Sequence, residues 1–69
     1  MDYDQLLDGC GEVGAQMLGG GAEIYRVEDT VRRMLAAYGV RGDVFAIPNC
    51  LIVSLTDETG ASHTRMRRI

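Results

Sequence analysis

The chain of 69 residues reads as an α+β domain: two antiparallel helices packed on a three-stranded antiparallel β-meander, in the order ααβββ. Three observations predict this. Apolar residues recur at steps of three and four through the first half, a helical period that glycines interrupt and then stop. Beyond Gly42 the period shortens to two, among branched and aromatic residues. Two turn signals, Pro48-Asn49 and Asp57-Glu58-Thr59-Gly60, then divide the second half into three short runs. Residues 1–69 form one domain, and a chain this short buries only about 60% of its unfolded surface.

The first helix is expected over Asp4 to Leu18. Leu6, Cys10, Val13 and Met17 fall at steps of four, three and four. Gly9, Gly11 and Gly14 lie inside it, each costing about 1 kcal/mol against alanine, so the helix needs packing and offers a neighbour close approach. Gly19-Gly20-Gly21 ends it. The second helix, Ala22 to Tyr38, is the strongest pattern in the sequence. Ile24, Val27, Val31, Leu35 and Tyr38 line one face, and Glu23 sits in its first turn, where the helix dipole favours an acid. Glu28 with Arg32, and Asp29 with Arg33, are expected to pair at four-residue spacing on the other face. Gly39 stops this helix.

Asp43 to Ile47 is the first expected strand, and Pro48-Asn49 the turn after it, with Asn49 suited to a left-handed conformation. Leu51 to Thr56 is the second strand, with Leu51, Val53 and Leu55 on one face. Ala61 to Ile69 is the third. It has no clean apolar face: His63, Arg65 and Arg67 alternate with Ser62, Thr64, Met66 and Arg68. Such a strand suits a sheet edge or awaits a partner. The domain is therefore expected to be incomplete, the front part of something larger.

Composition narrows the function classes. Hydrophobic residues make up 46% and charged residues 25% of the chain, which fits a globular domain rather than a disordered one. A net charge of −3 argues against a nucleic-acid partner. No apolar run approaches the ~18 residues that cross a bilayer, and the acidic start (Asp2, Asp4, Asp8) is unlike a secretory signal. Cys10 and Cys50 are too few and too far apart for a disulfide framework, which points to a reducing compartment and to buried, inert thiols.

The motifs that suggest chemistry mostly fail on context. Gly9-Cys10-Gly11-Glu12-Val13-Gly14 spells a dinucleotide fingerprint, but no buried strand precedes it and glycines follow within five residues. Gly19-Gly20-Gly21 lacks the following Lys-Ser/Thr of a phosphate loop, and Glu23 would repel an anion. Cys10, Cys50 and His63 are too scattered for zinc. No metal or other cofactor is expected. A small thiol hydrolase using Cys50 and His63 is an alternative reading.

The run Gly21-Ala22-Glu23-Ile24-Tyr25-Arg26-Val27-Glu28-Asp29-Thr30 resembles the signature near the start of the threonine/serine exporter family. Collinear features follow in that family's order: Gly39, Val44 to Ile47, Pro48, Ile52-Val53-Ser54-Leu55, Asp57 to Gly60, and Thr64-Arg65-Met66-Arg67-Arg68. Asn49 and Cys50 depart from the glycine or threonine usual near the proline turn. The resemblance implies export of threonine and serine, or of dicarboxylates in related members, and no enzyme activity. It implies a cytosolic portion on the inner face of a bacterial inner membrane, working with downstream or separately encoded transmembrane helices. This portion alone would transport nothing.

Within that resemblance a zwitterionic substrate needs an acid for its ammonium group and an arginine for its carboxylate. Glu23, Tyr25, Arg26, Glu28 and Asp29 on the second helix, with Thr64, Arg65 and Arg68 on the third strand, are the candidate substrate-binding or gating residues. A salt-bridge network joining helix to sheet would use the same residues. The competing reading is a stand-alone module that pairs its third strand with a partner or a second copy, as a homo-oligomer.

Overall fold

A computed structural model describes every residue, Met1–Ile69. It contains α1 (Tyr3–Gly19), α2 (Ile24–Ala37), β1 (Arg41–Ile47), β2 (Cys50–Thr56) and β3 (Ser62–Arg68). The sheet is antiparallel in the order β1-β2-β3, the α+β meander expected. Both helices cover one face of it, α2 over β1 and α1 over β2 and β3.

Local chemistry sets the boundaries. Asp2 caps α1, its Oδ1 accepting the Gln5 N–H at 3.0 Å, so the helix begins one residue earlier than its apolar period shows. Glu23 is the residue before α2 rather than part of its first turn, and it caps through its carbonyl, which accepts from Arg26 and Val27. Both helices end in the same way. Ala22 N–H donates to the Met17 carbonyl and Gly21 N–H to Leu18; Val40 N–H donates to Leu35 and Gly39 N–H to Ala36. These paired bonds are Schellman motifs, and they require the left-handed residue that Gly21 (φ +84°) and Gly39 (φ +70°) supply.

The turns between strands differ in kind. Ile47 pairs with Cys50 across Pro48-Asn49, and no residue other than glycine has positive φ. Asn49 therefore does not take the left-handed conformation expected of it. Proline fixes the first turn angle, and the second stays in the ordinary negative range. The β2–β3 turn spans Glu58-Thr59-Gly60, closed by the Asp57 N–H donating to Ala61 at 2.9 Å and the Gly60 N–H donating to Asp57 at 3.0 Å. Its last residue, Gly60, is left-handed (φ +88°).

The core joins Leu6, Leu7 and Cys10 of α1, Val27, Val31 and Leu35 of α2, and Val44, Ala46, Leu51, Val53 and Leu55 of the sheet. Tyr38, expected to complete the α2 stripe, is 60% exposed, because the helix ends at Ala37 and the chain turns away at Gly39. Gly14 lies against β2, where an added Cβ would overlap the Leu51 side chain. The close neighbour is thus a strand side chain.

Candidate functional site

The candidate residues occupy three separate places. Tyr25, Arg26 and Asp29 stand exposed on α2 just after Glu23, with Asp29 accepting from Arg33 Nε at 3.0 Å, the expected four-residue pair. Thr64 and Arg68 lie on the sheet face turned away from the helices, where Thr64 Oγ1 sits 3.1 Å from Ser54 Oγ. Arg65 points the other way, under α1. Glu28 and Arg65 do not meet, since α2 covers one edge of the sheet and α1 the other.

Glu28 has a different partner from the one expected. Its Oε2 accepts the backbone N–H of Ala46 at 3.0 Å, and Arg32 instead donates to Asp43 Oδ1 at 3.0 Å. Geometry explains the exchange. β1 is an edge strand whose alternate N–H groups face outward, and half-buried Glu28 lies directly over one of them. An unpartnered amide there costs more than an exposed i,i+4 ion pair gains. Asp43 treats its neighbour likewise: its Oδ1 accepts the Val44 N–H at 2.8 Å. That amide first, and Arg32 second, hold the Asp43 carboxyl below the usual aspartate range. Carboxylates thus close the β1 edge.

At the opposite edge α1 supplies a ladder of acids that the sequence reading did not assign. Asp4, Asp8 and Glu12 recur at four-residue spacing, on the stripe of α1 above β3. Arg65 Nη1 donates to Asp8 and Arg65 Nη2 reaches Asp4 at 3.5 Å, while Arg67 Nη2 donates to Glu12 at 3.1 Å. Hydrogen bonds from Gln16 and then Arg67 lower the Glu12 pKa. The arginines of the strand lacking an apolar face are therefore its means of attachment. The signal was present: an i, i+4, i+8 acidic stripe on one helix and alternating arginines on the last strand.

A second cluster joins the start of α1 to the β2–β3 turn. Asp57 Oδ1 accepts from the Thr59 hydroxyl at 2.6 Å, the Thr59 amide at 2.9 Å and the Ala61 amide at 3.0 Å. Its Oδ2 lies 2.8 Å from His63 Nε2. The Thr59 hydroxyl first, and His63 second, drive the Asp57 pKa far below the ordinary aspartate value. Asp57 stays ionised, so Nε2 is the protonated nitrogen and donates. Tyr3 stacks on His63 with ring centroids 5.1 Å apart and donates its hydroxyl to Glu58. That bond raises the Tyr3 pKa and lowers that of Glu58. An open cleft of about 410 Å³ borders this cluster, lined among others by Tyr3, Tyr38, Arg41, Asp57 and Glu58.

The arrangement excludes a thiol dyad. Cys50 pairs with Arg68 and His63 with Leu55, which separates Cys50 and His63 by five residues along the sheet, roughly 17 Å, on opposite faces. Cys50 is also only half buried, unlike the inert thiol expected, because its side chain falls on the uncovered face. Cys10 is fully buried, and burial raises its pKa. No group of three His, Cys, Asp or Glu residues is placed to hold a metal ion, and no helix is long and apolar enough to cross a membrane.

The fold and its charged groups define a small two-layer α+β domain, with carboxylates closing the β1 edge and acids of α1 holding the arginines of β3. No curated protein and no solved structure matches the chain. A family model does: that of the threonine/serine exporters, ThrE, over residues 8–69. The chain belongs to this family, which is one of transporters and not of enzymes, and the association is with amino-acid export.

Proposed function

We propose that the chain is the cytosolic front portion of a threonine/serine exporter-like transporter, resting on the inner side of a bacterial inner membrane and dependent on transmembrane helices encoded downstream or separately. It carries out no transport and no catalysis by itself. The observation that carries this reading is the family match over residues 8–69, in a fold without a membrane-crossing helix. Within it, Glu23 before α2, with Tyr25, Arg26 and Asp29 on α2, offers acid, hydroxyl and guanidinium groups to a zwitterion such as threonine or serine, while Thr64 and Arg68 offer a hydroxyl and a guanidinium at a separate place on the far face of the sheet. Arg26 and Arg68 have no carboxylate within ion-pair distance, so their charge is free for a ligand. Glu28 and Arg65 hold the elements that carry these residues.

The test uses the full-length gene in cells loaded with threonine. Arg26→Gln and Arg68→Gln should reduce efflux at unchanged protein level. Glu28→Ala and Arg65→Gln should lower the protein level or its thermal midpoint. Unchanged efflux in Arg26→Gln and Arg68→Gln refutes the binding role.

A further inference from the structure

The sheet has a second face that no element covers. By register, Phe45, Ile52 and Met66 form a row across the three strands. Ile47, Cys50 and Arg68 form the next row toward the Pro48 turn; Asp43, Ser54 and Thr64 form the row on the other side. An antiparallel sheet that faces water on one side normally turns polar residues outward. Here Phe45 is 59%, Met66 56% and Ile47 41% exposed, with Ile69 at the border 44% exposed. Shallow hollows flank the central row. One, of about 450 Å³, lies among Asn49, Cys50, Met66, Arg68 and Ile69; the other, of about 130 Å³, lies among Asp43, Phe45, Ile52 and Ser54.

We infer that this face is the contact surface for a second copy of the chain, the two sheets stacking to give a four-layer α/β/β/α dimer. The inference rests on the sheet alone; it shares Thr64 and Arg68 with the proposed function, and it is read by solution mass rather than by efflux. Charge selects the occupant. Of the ten acidic residues, only Asp43 stands on this face, and Arg32 is already paired with it. The remaining acids lie on the helices, before them, or in the Asp57-Glu58 turn. Two copies meeting through α1 would set Asp4, Asp8 and Glu12 against a second acidic ladder, whereas the sheet faces meet almost without like-charge contact.

Size agrees. At about 200 Å² for each large apolar residue, the exposed parts of Phe45, Ile47, Met66 and Ile69 amount to roughly 400 Å². That is about half of the ~800 Å² each partner gives to a standard interface, close to the usual apolar share of one. Asn49, Ser54, Thr64 and Arg68 form the polar rim. A two-fold axis along β2 lays Ile52 on its own mate and Phe45 on the partner's Met66, an aromatic–sulfur contact. Pairing through the β3 edges fits less well. Centred on that strand, it sets Arg65 beside its own mate and His63 beside the partner's Arg67, gathering like charge.

The test is the solution mass of the 69-residue chain, measured by sedimentation from about 10 μM to about 1 mM, the range of a modest interface. The mass should rise from 7.5 kDa toward twice that value. Phe45→Glu and Met66→Lys, at exposed positions, should each weaken dimerisation at least about 30-fold with unchanged circular dichroism. Mixing the two variants should restore a dimer, since each new acid then faces a new base. A bismaleimide should join Cys50 to Cys50 across the roughly 10 Å between stacked sheets. A chain monomeric throughout, or a Phe45→Glu variant that dimerises like the parent, overturns the inference. So does a monomer that binds phosphatidylglycerol vesicles through Phe45, which would assign the face to lipid.

Discussion

Gly9 and Gly14 sit five residues apart on α1, and alanine at the two should act with opposite sign. At Gly9 an added Cβ meets nothing within 4 Å. The substitution therefore gains helix propensity alone, about 0.8–1 kcal/mol of added stability. At Gly14 the same gain is opposed by overlap with the Leu51 side chain. Leu51 has no exposed surface, so its methyl groups have nowhere to retreat without displacing the core. Overpacking of this kind costs about 1–3 kcal/mol. With the cost near the upper half of that range, Gly14→Ala is destabilising by about 1–2 kcal/mol. The two variants should differ by about 2–3 kcal/mol, which separates their thermal midpoints by roughly 10 °C or more in a domain this size. Urea titration followed by circular dichroism measures both. If Gly14→Ala is as stable as Gly9→Ala, α1 does not approach β2 as closely as described.

Removing the Glu28 side chain leaves the Ala46 amide without its acceptor: Glu28→Ala should cost about 1 kcal/mol, and Glu28→Gln, which keeps an acceptor, distinctly less. Equal losses in a urea titration would mean that charge rather than the hydrogen bond matters. The carboxyls of Glu12, Asp43, Asp57 and Glu58 are all lowered by the fold. Their contribution is complete above the unfolded values of about 4 and is lost as pH falls through the folded ones. The thermal midpoint should therefore decline below about pH 4.5 and less steeply in Asp57→Asn; a parent equally stable at pH 3 and pH 7 contradicts the assignment. Cys50 should react with iodoacetamide in the native state, and Cys10 at least about 100-fold more slowly, through unfolding. Peptide mapping after timed quenching separates the two thiols, and comparable rates would show that Cys10 is not buried as described.

The elements were legible because their signals are local. Val27, Val31 and Leu35 at helical spacing, and Leu51, Val53 and Leu55 at alternate positions, each identify both an element and its buried face. The Schellman ends were legible through Gly21 and Gly39. The pairing of charges was not. Glu28 has a suitable base four residues on, yet an edge-strand amide eighteen residues away takes it, because only the tertiary fold puts that amide within reach. Arg65 illustrates the same limit: its alternation with Arg67 reads as an orphan edge until Asp4 and Asp8 of α1 are placed above it. Of the candidate binding residues, the sequence identified the chemical types but gave no sign that α2 and β3 carry them to different places. Tyr38 and Asn49 failed for a simpler reason, since each lies at a terminus or turn where periodicity carries least information.

The acidic ladder of α1 bears on the order in which the chain acquires structure. Asp4, Asp8 and Glu12 repel one another at four-residue spacing, in a helix weakened by Gly9, Gly11 and Gly14. Their countercharges lie on β3, 55 to 61 residues further along. α1 is therefore a poor helix until β3 arrives beside it. The seventeen residues of α1 thus gain their order from the far end of the sheet, and closure of the domain waits on Arg65 and Arg67.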